Sequence, residues 1–149
     1  MPPPTNVYYK PIEGLLSLPT NTEDGISLNV ARYIGRASIV SVTLNVEGAT
    51  GTDASAIWYI VSFRMNDKSV DQSLETVVPI MEGILRRHGV AAGTTGTAFG
   101  GNNEGGVRWE GFEPILPEWT QARLNLYAFQ ISGATVTLRM RAMLRIEEP

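Results

Sequence analysis

Glu104, Glu110, Glu113 and Glu118 crowd around Trp109 and Trp119. Two carboxylates beside aromatic platforms are what glycoside hydrolysis uses, one as acid and the other as base or nucleophile. A sugar-binding surface would show the same residues, and so would core or interface tryptophans flanked by solvated acids. A second group is basic: Arg139, Arg141 and Arg145 recur on one face of an alternating run, with Arg123 close by in the preceding run. Like charges on alternate strand positions repel unless anions sit among them. Those anions could be glutamates of a neighbouring sheet or subunit, or nucleic-acid phosphates, and the row could also be a solvated edge. The basic residues lack the interleaved aromatics of a base-stacking platform.

Other chemistry is poorly supplied. Gly93, Gly96, Gly100 and Gly101 lie in a permissive run from Gly89 to Gly106, but no lysine follows and the run leads into a strand. A phosphate-cradling loop would need fixed glycine spacing before a helix. His88 is the only histidine and the chain has no cysteine, so thiolate metal sites, disulfides and cysteine nucleophiles are excluded. No spacing offers His88 carboxylate partners for a metal, and no nucleophile elbow supports a serine triad. The expectation is therefore a non-enzyme with no cofactor, no metal and no catalytic residue.

The elements that must position these residues are strands. Val136, Leu138, Met140, Ala142, Leu144 and Ile146 alternate with Thr135, Thr137, Arg139, Arg141, Met143 and Arg145. Successive strand side chains point to opposite faces, so one face of this run is apolar and the other cationic. The run is expected to form a hairpin with Leu124–Gln130 through Ser132 and Gly133. Strands are also expected over Ile26–Tyr33, Ser38–Glu47, Ala56–Met65 and Val107–Phe112. In the second of these Val40, Val42, Leu44 and Val46 share a face; in the third Ile57, Tyr59, Val61, Phe63 and Met65 do. Pro79, with Met81 and Leu85 at helical spacing, suggests a short helix near 79–87, against a competing strand over 75–81.

At 149 residues, with 43% apolar and 18% charged side chains, the chain suits one folded domain with its own core. The net charge of −3 does not advertise nucleic-acid binding. Met1 to Thr5 lacks the basic and apolar regions of a secretory leader, and no apolar run approaches the ~20 residues that span a bilayer. The expectation is a soluble chain. Residues 1–24 hold Pro2, Pro3, Pro4, Pro11 and Pro19, yet also Tyr8, Tyr9, Leu15 and Leu16. That mixture reads as an extended arm lying on its own or a neighbour's surface, with the sandwich domain over 25–149.

The proline-rich apolar arm, the β body and the glycine-rich loop together resemble small jelly-roll viral coat or capsid decoration proteins. That resemblance implies an all-β antiparallel sandwich, a single jelly roll with one short helix and an extended N-terminal arm. It implies a virion location and a structural subunit of a homo-oligomer, partnered by itself and by other subunits of a larger particle. Tyr8, Tyr9, Leu15, Leu16 and the loop from Gly89 to Gly106 would then be contact elements, Arg123, Arg139, Arg141 and Arg145 interface or anion contacts, and Trp109 and Trp119 interface aromatics. The alternative is a β-sandwich carbohydrate-binding module using Trp109 and Trp119.

Overall fold

The computed structural model describes residues 6–19, 21–30, 36–49, 55–67, 75–87, 106–115, 119–132 and 135–148. They form β1 (Asn6–Leu18), β2 (Glu23–Asn29), β3 (Arg36–Ala49), β4 (Ser55–Asp67), β5 (Glu75–Arg87), β6 (Gly106–Ile115), β7 (Trp119–Ser132) and β8 (Val136–Glu148). Two four-stranded antiparallel sheets result, ordered β1-β8-β3-β6 and β2-β7-β4-β5. Each sheet turns one apolar face inward, and the two faces share one hydrophobic core, giving a β-sandwich.

The core follows the alternation. All six inward residues of β8, from Val136 to Ile146, are fully buried, as are Ile57, Val61 and Phe63 of β4. In β3 the phase shifts: Ile39 pairs with Leu144 and Ser41 with Met143, leaving Val40 as an extra residue. This bulge puts Ile39 in the core and leaves Val40 half-buried, where unbroken alternation would have buried Val40.

Two expectations are corrected. The helix near 79–87 is instead part of β5. Val61 pairs with Met81 while Ser62 pairs with Pro79, so Ile80 is a bulge residue in an edge strand. An edge bulge tolerates a proline that would interrupt a central ladder, and Gly83 further disfavours helix. The hairpin of the two last strands is also replaced. β7 pairs with β2 and β4, whereas β8 pairs with β1 and β3, so the chain changes sheet between them. Arg123 therefore lies in the sheet opposite to Arg139, Arg141 and Arg145.

Residues 6–18 lie within the expected arm. They form β1, an edge strand laid along the whole of β8 from the Asn6–Glu148 pair to the Leu18–Val136 pair. Of the two surfaces open to it, the strand takes its own chain's. Leu16 and Leu18 enter the core at 3% and 0% exposure, so Leu16 is unavailable as a contact element. Asn21, at φ 57°, adopts the left-handed conformation that asparagine tolerates in turns, and Thr22 Oγ1 donates to the Pro19 carbonyl at 2.6 Å. The chain thereby passes from β1 to β2 in the other sheet.

Candidate functional site

The outer face of the β8 sheet carries the arginine row, and the row meets its anions within the chain. Glu13 stands opposite Arg141 and beside Arg139 because β1 and β8 are in register there. Its Oε2 accepts from Arg139 Nη1 at 3.0 Å and from Arg141 Nε and Nη2 at 3.1 and 2.9 Å. These bonds, Arg141's first, hold the Glu13 carboxyl below the usual carboxylate range. Arg145 pairs with Glu147 two positions along the same strand, and that bond raises its already high pKa. Tyr8 donates its hydroxyl to Glu148 at 2.9 Å. Beyond β8, Ser41, Thr43 and Asn45 line a hollow of about 320 Å³ with Arg108, Arg141 and Met143. Arg108 is itself paired with Glu110 at 2.7 Å, both being well exposed.

Beside this row the free edge is apolar. Val7, Tyr9 and Leu15 of β1 are 46%, 58% and 54% exposed, and Tyr8 is 40% exposed. A long edge strand with uncovered apolar side chains invites pairing or packing with another chain, which soluble proteins usually suppress with charge or proline. Lys10 and Pro11 at mid-strand oppose continuous backbone pairing and leave side-chain packing as the available mode.

The tryptophans do not meet as a site. Trp109 is on β6 opposite fully buried Val42, half-buried and packed against the core; a Cβ on Gly111 would lie 2.5 Å from its ring. Trp119 opens β7, in the other sheet, opposite Asp67. Register places Glu110 opposite Ser41 and Glu113 opposite core residue Ile39, hence toward different faces. Burial pushes the Glu113 carboxyl up. Glu104, Glu118, His88 and the loop from Gly89 to Gly105 lie outside the described residues. Among the described residues no cluster of three or more His, Cys, Asp or Glu is placed to hold a metal ion.

Phe112 of β6 is 65% exposed, and two further exposed aromatics lie in the other sheet. On the outer face of the β7 sheet Trp58 and Tyr127 stand edge to face, with ring centroids 6.5 Å apart at 83°. Such pairs add roughly 0.5–1.5 kcal/mol beyond their burial. Tyr127 donates its hydroxyl to Glu23, and this bond raises the phenol pKa. Below them, in register, lie Ser27, Asn125 and Ser62, then Arg123 beside Arg64. A cavity of about 330 Å³ opens between the two levels. The sequence signal for this face was present: Trp58, Ile60, Tyr127 and Phe129 are apolar residues in the polar phase of their strands.

No protein-family model matches this chain, and no curated protein matches it. Among solved structures it is similar to a chain in the structure of the infectious bursal disease virus Gt strain. That match has a TM-score of 0.25 and 9% identity, and covers 97% of this chain and 43% of the other. The infectious bursal disease virus VP2 subviral particle gives a TM-score of 0.25 and 11% identity, with the same coverage of 97% and 43%. The chain thus spans less than half the length of these virus-particle chains. No helix among the described residues is long and apolar enough to cross a membrane.

Proposed function

We propose that this protein is a structural, non-catalytic subunit of a homo-oligomeric assembly, a coat or decoration component of a virion, and that its sandwich is a single jelly roll. The observation that carries the assembly reading is the apolar free edge of β1, where Val7, Tyr9 and Leu15 stay uncovered beside a satisfied arginine row. Burying these three half-exposed side chains on each of two copies would contribute on the order of 4–9 kcal/mol before association costs, enough for weak contacts repeated around a ring or shell.

The jelly-roll and virion parts rest on winding. Two sheets ordered β1-β8-β3-β6 and β2-β7-β4-β5 fit two nested Greek keys, the pattern of double-sheet jelly rolls in viral capsid and lectin domains. This is an argument by fold-level analogy, and the residues of β1 are what make it specific. Its partners would be further copies of itself and other subunits of the same particle.

Light scattering on the purified chain, with negative-stain imaging, tests the reading. Rings or closed shells are expected, and Tyr9→Lys with Leu15→Lys should leave a folded species of much lower mass. A wild-type monomer at every concentration would overturn it.

A further inference from the structure

The outer face of the β8 sheet is built as a ridge beside a trough. Along β8 the outward residues are long: Arg145, Met143, Arg141 and Arg139. On β3 the residues in register with them are short: Ser38, Ser41, Thr43 and Asn45, in the same order. The step in height leaves the hollow of about 320 Å³ over β3, with Arg108 of β6 on its far side. The edge strands add apolar ends. β1 brings Tyr9 and Pro11, in register with Arg145 and Met143. β6 brings Phe112 and Pro114, which alternate with the inward residues Glu113 and Ile115.

These ends are joined across the face. Val40, the bulge residue of β3, lies outward between Met143 and Phe112, because Ile39 and Val42 on either side of it are in the core. An apolar band thus runs from β1 to β6, and Phe112 on it is the most exposed large apolar side chain among the described residues. The cations around the band are answered within the chain: Arg139 and Arg141 by Glu13, Arg145 by Glu147 and Arg108 by Glu110. An apolar centre within a paired polar rim is the anatomy of a protein contact. Both edges of the sheet carry a proline, Pro11 and Pro114, which disfavours adding a further strand to either. The surface is offered by its face.

The face is also complementary to itself. With the order β1-β8-β3-β6, a two-fold axis parallel to the strands and midway between β8 and β3 sets β8 of one copy over β3 of the other. The ridge then enters the trough, Met143 of one copy over Ser41 of the other and Arg141 over Thr43. The same axis sets β1 over β6, so Tyr9 and Pro11 cover Pro114 and Phe112. One row further along, Glu13 lies over Arg108, which extends two exposed ion pairs into a network across the contact. Four strands ~4.8 Å apart over the ten residues of β6 give a face of roughly 650 Å². Two copies would bury about 1,300 Å², above the ~1,000 Å² that a specific contact needs. We infer that the outer face of the β8 sheet packs on the same face of a second copy about this two-fold axis. The inference rests on the homo-oligomer reading and names the surface that covers the β1 edge.

Phe112 separates this contact from one made by the β1 edge alone. Phe112→Lys alters a side chain 65% exposed, so the variant should melt at the wild-type temperature. Light scattering over a dilution series should show its concentration for half-dissociation raised by about tenfold or more. A value equal to the wild type's would overturn the inference. Cross-linking then locates the contact, because the chain has no cysteine of its own. Met143→Cys and Ser41→Cys, made as separate proteins and mixed, should be joined by a short bis-maleimide, which bridges sheets packed ~10 Å apart. Val77→Cys, on the other sheet and exposed, should not be joined to Met143→Cys. Assemblies of wild-type mass in which Met143→Cys and Ser41→Cys stay unlinked would overturn the inference and leave assembly standing through another surface. A wild-type monomer at every concentration would overturn both.

Discussion

Glu13 is the residue on which the cationic face depends. Its one carboxylate oxygen serves Arg139 and Arg141 together, which sit two positions apart on β8 and would otherwise repel. Because the folded-state pKa of Glu13 is lowered, the folded chain binds fewer protons than the unfolded chain between the two pKa values. The stabilisation is thus complete above the ordinary carboxylate value and is lost as pH falls through the lowered one. Exposure to solvent makes it salt-sensitive as well. Glu13→Gln should lower the thermal midpoint at pH 7 in dilute buffer, and the gap from wild type should close on acidification and on adding salt. Thermal unfolding of both proteins across that pH range checks this. Parallel pH profiles would show that the pair of arginines does not depend on Glu13. Leu15 and Leu16 make the same point about neighbours: one side chain is 54% exposed and the next 3%, so only the first can take part in assembly.

At the scale of the element, alternation identifies a strand and its apolar face but not its partner. The inward residues of β4 and β8 were legible for that reason, and the sandwich with them. The hairpin expected at Ser132 and Gly133 was not realised because two adjacent strands can each find better ladders elsewhere. β8 is matched along β1 and β3, and β7 along β2 and β4. Arg123 was grouped with the wrong row as a direct consequence. β5 was misread because Val77, Val78, Met81 and Leu85 also fit helical spacing, and a bulge at Ile80 breaks strict alternation. The tryptophans were judged by type, although burial decides their use: Trp109 packs on the core and Trp58 reaches the surface. The same edge strand supplies a sensitive probe. A Cβ at Gly83 would lie 2.8 Å from the hydroxyl oxygen of Tyr59, a residue 3% exposed. Gly83→Ala should therefore destabilise the fold by about 1–3 kcal/mol through overpacking. Tyr59→Phe removes the clashing oxygen, so the double variant should recover part of the loss in a denaturation-based cycle. Strict additivity would mean that the two side chains do not meet.

At the scale of the whole molecule the two ends of the chain close one sheet. Asn6 pairs with Glu148 and Leu18 with Val136, so β8 lies between β1 and β3 and the sheet completes only when the last strand is present. An arm reading of residues 1–24 implies that the segment can be removed to release subunits while the body stays folded. The pairing implies otherwise. Deleting residues 1–18 would strip one ladder from β8, expose its inward residues at the sheet edge and remove Leu16 and Leu18 from the core. The two leucines alone contribute roughly 3–6 kcal/mol by burial. Set against the ~5–15 kcal/mol that holds a domain of this size, their loss together with a full edge ladder leaves little stability. The truncated chain should show no cooperative thermal transition, bind a hydrophobic dye and aggregate, whereas Tyr9→Lys with Leu15→Lys, which spares the core, should melt cooperatively. Circular dichroism of the two side by side decides between these views. A truncated chain that melts cooperatively would make β1 a dispensable arm and return its apolar face to a neighbouring subunit.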